Sequence, residues 1–141
     1  MEIIIHRVNK IKDLNKISQN FGAEIDIRTS GSNLILSHDP FIKGDMLENY
    51  LESYKHKTLV LNLKEAGIEK NILSLLKQYS IKSYFLLDVE MPYIYSATKK
   101  GERNIAIRYS EYENIFLAKY FVKKLNWVWI DTTTKLPLNS T

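Results

Sequence analysis

The chain contains no cysteine. That excludes disulfides and thiolate metal sites, and it fits a cytoplasmic protein. Nor is there any stretch near the ~18 apolar residues that a membrane-spanning helix requires. Met1-Glu2 leads straight into an apolar run without a signal-peptide pattern. Repeats, low-complexity tracts and linkers are also missing, so 141 residues with 45% hydrophobic content read as one domain, 1–141, with a real core. A basic stripe is lacking too. The net charge is +4, but the lysines are scattered as Lys10-Ile11-Lys12, Lys55-His56-Lys57, Lys99-Lys100 and Lys123-Lys124. That is a solvated surface rather than a nucleic-acid footprint. It supports only a mild preference for anionic, small-molecule substrates.

What the chain does have is three polar clusters at the ends of three apolar runs, all within forty residues. Ile3-Ile4-Ile5 feeds His6-Arg7, Ala23 to Ile27 carries Glu24 and Asp26, and Leu34-Ile35-Leu36 runs into Ser37-His38-Asp39. Side chains alternate faces along a strand, so Glu24 and Asp26 point one way while Ile25 and Ile27 point the other. Two carboxylates on one face suit Mg2+ or Ca2+; they also suit a plain solvated strand face. His6 beside an apolar run reads equally as a core histidine. His38-Asp39-Pro40 reads equally as turn chemistry. Arg7 and Lys64 add two cations suited to an anion.

These residues, in this order, resemble the glycerophosphodiester phosphodiesterases of the phosphatidylinositol-phospholipase-C-like superfamily. The likeness rests on His6-Arg7, then Gly22-Ala23-Glu24-Ile25-Asp26, then Ile35-Leu36-Ser37-His38-Asp39, and it covers about residues 3 to 65. It implies a metal-dependent hydrolase of glycerophosphodiester-like phosphodiesters, of the kind that serves lipid metabolism. His6 and His38 correspond to the acid/base pair, and Arg7 to the phosphate-binding arginine. Lys64 corresponds to the lysine that ends the third strand. Glu24 and Asp26 correspond to ligands of one Mg2+ or Ca2+. Two positions depart from the pattern. Val8 stands where the family has glycine, which constrains the loop. Asn62 stands where the family has a third acidic ligand, and an amide oxygen brings no charge to a cation. Either the metal site is weak, or Glu65 or Asp88 substitutes, or the chain binds phosphate in a regulatory or assembly role without turnover.

Strand and helix patterns alternate along the chain. Strands are expected at Glu2-Ile5, Ala23-Ile27, Leu34-Ser37, Thr58-Leu63, Ser83-Leu87, Asn104-Arg108 and Trp127-Ile130. Helices are expected at Lys12-Gln19, Met46-Tyr54, Gly67-Tyr79, Met91-Thr98 and Glu113-Leu125, with their apolar stripes in the core. With Leu34-Ser37 as a hairpin arm, the alternation predicts a parallel (β/α) barrel of the TIM type, incomplete at about six strands. A full barrel needs eight strands and about 250 residues. The chain would then be three quarters of a barrel, or a shortened one, ending in a polar tail from Thr132 to Thr141. Strand-end placement puts His6, Asp26, Lys64, Asp88, Arg108 and Asp131 on one polar face. An open sheet would expose Trp127 and Trp129 on its edge, which invites a homodimer.

Overall fold

A computed structural model describes residues 1–135; the end of the polar tail, 136–141, lies outside the described residues. The chain divides into two compact units, Met1–Phe85 and Leu86–Thr141. The strands are β1 (Ile4–Ile5), β2 (Gly22–Ser30), β3 (Asn33–Leu36), β4 (Asp45–Met46), β5 (Leu59–Leu63), β6 (Tyr84–Leu87), β7 (Ala106–Tyr109) and β8 (Trp127–Ile130). The helices are α1 (Ile11–Leu14), α2 (Leu47–Ser53), α3 (Glu69–Gln78), α4 (Met91–Lys99) and α5 (Ile115–Phe121). None is long and apolar enough to cross a membrane, among the described residues.

The barrel expectation is overturned. The described strands form a mixed sheet in the order β4-β3-β2-β5-β6, with β1 also on β2, and a separate two-stranded sheet, β7-β8. β2 pairs parallel with β1 and β5, but antiparallel with β3, and β3 pairs antiparallel with β4. The reason is local. Only Gly31 and Ser32 separate the paired residues Ser30 and Asn33, and so short a turn forces a hairpin. Gly31 takes φ +61° there, the conformation that glycine adopts freely. Strand-helix alternation along a sequence carries no information on such reversals. The two residues of β4 are too short for any periodicity, and their segment reads as a helix start.

Unit 1 buries Ala23, Ile25 and Ile27 of β2 beside their register partners Leu59, Leu61 and Leu63 of β5, together with the apolar faces of α2 and α3. Tyr50, Leu51, Ile72 and Leu76 supply those faces as the helical spacing expects. Unit 2 differs. Phe121 and Leu125 are buried, but Ile115, Leu117 and Tyr120 of the expected core stripe are exposed. β8 is largely exposed along Trp127, Val128 and Ile130.

Candidate functional site

The site grows from a gap along one edge of β2. On that edge β1 pairs with Gly22 and Ala23, and β3 pairs with Ile27 to Ser30. Neither strand covers Glu24 to Asp26, so their backbone groups need other partners. The segment after β1 supplies them. Val8 N–H donates to the Glu24 carbonyl at 2.8 Å, and Asp26 N–H donates to Asn9 Oδ1 at 2.8 Å. From the far side, Ser37 N–H donates to the Asp26 carbonyl at 3.0 Å. The gap therefore draws the His6–Asn9 turn and the Ser37-His38 corner onto the two acids.

Both carboxylates are buried, and each receives N–H donors, as buried charge requires. Glu24 accepts from the Arg7 backbone N–H at 2.7 Å and from Asn62 Nδ2 at 3.0 Å. His6 Nε2 lies 3.6 Å from its Oε2. Asp26 accepts from Asn9 Nδ2 at 2.8 Å and pairs with Lys64 Nζ at 3.1 Å. β2 and β5 run in register, Asp26 opposite Asn62, which sets the amide beside both acids. The imidazoles stand at the surface, with side-chain exposures of 56% for His6 and 41% for His38.

Arg7 and His38 meet directly, Nη2 to Nε2 at 3.0 Å, and His38 Nδ1 meets Asp39 Oδ1 at 2.8 Å. A guanidinium only donates and an ionised carboxylate only accepts. The bonding partners therefore assign the hydrogen of His38 to Nδ1 and leave a lone pair at Nε2. That imidazole N–H holds the Asp39 carboxyl below its usual range.

All seven predicted site residues, His6, Arg7, Glu24, Asp26, His38, Asn62 and Lys64, thus belong to one linked cluster. The expected constraint at Val8 falls elsewhere: Arg7 takes the left-handed φ of +56°, and Val8 is buried beneath it. A non-glycine residue held there stores backbone strain. Of the two acids proposed to replace a charge at Asn62, Glu65 is engaged elsewhere in unit 1, and Asp88 pairs within unit 2. Glu65 accepts from Thr29 N–H and Oγ1 and pairs with Arg28, while Asp88 pairs with Arg108. Two further residues shape the site. Asn9 clasps residue 26 through both backbone and side chain. Arg28 donates Nε and Nη2 to the His38 carbonyl, each at 3.1 Å. Arg28 was visible in principle as the next same-facing residue after Glu24 and Asp26. Asn9 had no signal, because its role depends on the gap in strand pairing.

Among the described residues no three histidines or acids converge as a metal cage. The oxygen donors nevertheless fit one hard cation. Asn62 Oδ1 and Asp26 Oδ1 are buried without a hydrogen-bond partner, Asp26 Oδ1 having only the Lys64 ion pair. A surplus of buried acceptors beside two carboxylates suits Mg2+ or Ca2+, with less charge than three acids would give. No protein-family model, curated protein or solved structure matches the chain.

Proposed function

We propose that this cluster binds and cleaves a glycerophosphodiester-like phosphodiester, as a divergent relative of the glycerophosphodiester phosphodiesterases. The observation that carries the reading is the pairing of two accessible imidazoles with two cations around one buried acidic pair. Arg7 and Lys64 receive the phosphate oxygens. An arriving phosphate competes for the Arg7 guanidinium and so releases the Nε2 lone pair of His38. His38 then takes the proton of the attacking hydroxyl, with Asp39 holding its ring. His6, its Nε2 turned to Glu24, gives a proton to the leaving alkoxide. Glu24, Asp26 and Asn62 would hold one Mg2+ or Ca2+, which supplies Lewis-acid polarisation of the phosphoryl group when bound.

A second reading has its own observation. Asn62 gives its amide hydrogen to Glu24 where the family supplies a negative charge, which favours a phosphate-binding, regulatory or assembly domain without turnover. The exposed edge of β8 would then serve a homodimer.

Hydrolysis of bis(p-nitrophenyl) phosphate and glycerophosphocholine with added Mg2+ or Ca2+ separates the two. The enzyme reading expects EDTA to abolish turnover and His38→Ala to lower kcat by about 10²–10⁴-fold. It also expects Asn62→Glu to tighten calorimetric metal binding, since it adds a charge beside two carboxylates. Phosphate binding without turnover under any of these conditions establishes the second reading instead.

A further inference from the structure

The lysine pairs lie far apart along the chain, but unit 2 brings two of them together. α4 ends at Lys99, with Lys100 next to it, and the turn that follows α5 carries Lys123 and Lys124. Arg103 ties the two ends. Its Nη2 donates to the Lys123 carbonyl at 3.0 Å, and its own carbonyl accepts from Asn126 N–H at 2.9 Å. The dipole of a helix C-terminus favours lysine. That accounts for each pair by itself, but not for two pairs meeting around an arginine.

Along α5 and its following turn, Phe116, Lys119, Tyr120, Lys123 and Lys124 recur at three- and four-residue spacing and share one face. The opposite face holds the buried Ala118, Phe121 and Leu125. All five residues of the outer face are exposed, as is Tyr95 of α4. Rings and ammonium groups interlock there. Lys124 Nζ lies 3.5 Å from the Tyr120 ring centre, Lys99 Nζ 4.2 Å from that of Tyr95, and Lys119 Nζ 5.9 Å from that of Phe116. The Lys124 contact, with the charge of Lys99 adding to it from α4, holds the Tyr120 hydroxyl below its ordinary pKa.

The charge of this face is uncompensated. Segments 95–104 and 115–126 hold six cations, Lys99, Lys100, Arg103, Lys119, Lys123 and Lys124, against one acid, Glu102. Glu102 Oε1 accepts from Asn104 N–H at 2.8 Å. None of the six cations has a carboxylate partner among the described residues, while Asp88, Glu113 and Asp131 gather on Arg108. A polyanion complements such a face, and the rings select among polyanions. A helix that lies in a membrane presents a continuous apolar side; here lysines stand between the rings, and Ile115, Leu117 and Val122 lie to either side of the stripe. Ring faces alternating with cations suit unpaired bases joined by phosphates.

We infer that this face of unit 2 binds single-stranded nucleic acid without sequence preference, its phosphates on the lysines and Arg103 and its bases on Tyr95, Phe116 and Tyr120. The inference stands apart from the phosphodiesterase reading and uses no residue of that site.

Fluorescence anisotropy of a labelled oligothymidylate of about 20 nucleotides, titrated with the full chain, tests this. Log K should fall with log salt by about 0.7 for each phosphate neutralised. Lys99→Gln, Lys119→Gln and Lys124→Gln together should flatten that slope by about 2 and weaken binding at least about tenfold. Phe116→Ala with Tyr120→Ala should weaken binding at least about fivefold and leave the slope unchanged, because stacking carries no charge. No binding at low salt overturns the inference, and so does binding that the three lysine substitutions leave intact. Dependence on the lysines without dependence on the rings makes the face a general polyanion site and overturns the nucleic-acid assignment. Polyglutamate or phosphatidylserine vesicles, if held more tightly than the oligonucleotide through the same lysines, overturn it too and assign the face to an acidic protein or a membrane.

Discussion

Unit 1 and unit 2 solve the same electrostatic problem in opposite ways. Each gathers charge at the carboxyl ends of its strands. In unit 1 the anions are inside: Glu24 and Asp26 are buried, and the cations and imidazoles lie outward. In unit 2 the cation is central. Arg108 donates Nε and Nη2 to Asp88 Oδ1 at 2.9 and 2.6 Å, bonds Asp131 through Nη1, and lies 3.9 Å from Glu113. Burial works against the Arg108 charge, but the Asp88 hydrogen bond and the three carboxylate charges together outweigh it and raise its pKa. An arginine saturated by carboxylates offers no vacancy to a phosphate. Buried acids, held by N–H donors and the Lys64 ammonium, instead leave the Arg7 side chain and both imidazoles at the surface. The difference shows that strand-end placement alone does not define a site. Which sign of charge is buried does.

The sharpest way to break the comparison is Asp26→Ala. It removes a buried carboxylate, and with it the ion pair to Lys64, whose side chain is only 19% exposed, and the bond from Asn9 Nδ2. Breaking a buried pair typically costs about 3–5 kcal/mol, and amide exchange at Ile25 and Leu61, on the two paired strands, should accelerate accordingly. Loss of under about 1 kcal/mol would mean that water already screens the pair, and would place unit 1 with unit 2 as a solvated network.

Arg108→Ala is the counterpart in unit 2 and should cost much less. The side chains of Asp88, Glu113 and Asp131 are 29%, 39% and 48% exposed. Released from Arg108, they stay open to water, so the loss should stay within about 1 kcal/mol. Both tryptophans lie in unit 2, so denaturant unfolding followed by tryptophan fluorescence reads this change where it occurs. A loss near that of Asp26→Ala would show that exposure does not set the rank of the two clusters.

The two units were also unequally legible. In unit 1 the apolar runs and their polar ends identified β2, β3 and β5, and all seven site residues fell in one cluster. Alternation along a strand is a local property, and the sequence carries it. Pairing direction is not local. It depended on the turn at Gly31-Ser32, and the antiparallel β3 and β4 replaced the expected barrel. The sheet gap at Glu24 to Asp26 was equally hidden, and with it the roles of Asn9 and the Arg28 clamp. The helix expected over Lys12-Gln19 spans only Ile11–Leu14. In unit 2 the strands β7 and β8 were legible. The helical stripe of α5 was not a reliable sign of burial, because periodicity marks an amphipathic face without saying what covers it. Likewise Asp88, Arg108 and Asp131 read as parts of a common polar face, whereas they close on one another.

The smallest expected effect is a pH response that should belong to unit 2. Glu111 Oε1 accepts backbone N–H groups of Thr133, at 2.8 Å, of Thr134, and of Lys135, at 3.2 Å. The Thr134 N–H contributes most to lowering the Glu111 pKa to about 2, with Thr133 and Lys135 adding to it. An unfolded glutamate titrates near ~4.3. The folded value is therefore depressed, so the tie is fully present above the unfolded pKa and is lost as pH falls through about 2. Amide chemical shifts of Thr133, Thr134 and Lys135 should stay constant from neutral pH down to about 4, and then titrate together toward 2. Glu111→Gln should abolish that shared titration while leaving the unit 1 resonances unmoved. A midpoint at the ordinary glutamate value would mean that the carboxylate does not gather these amides in solution. An anion of unit 2 that gathers three backbone N–H groups would then be lost, and the contrast with the buried acids of unit 1 would sharpen.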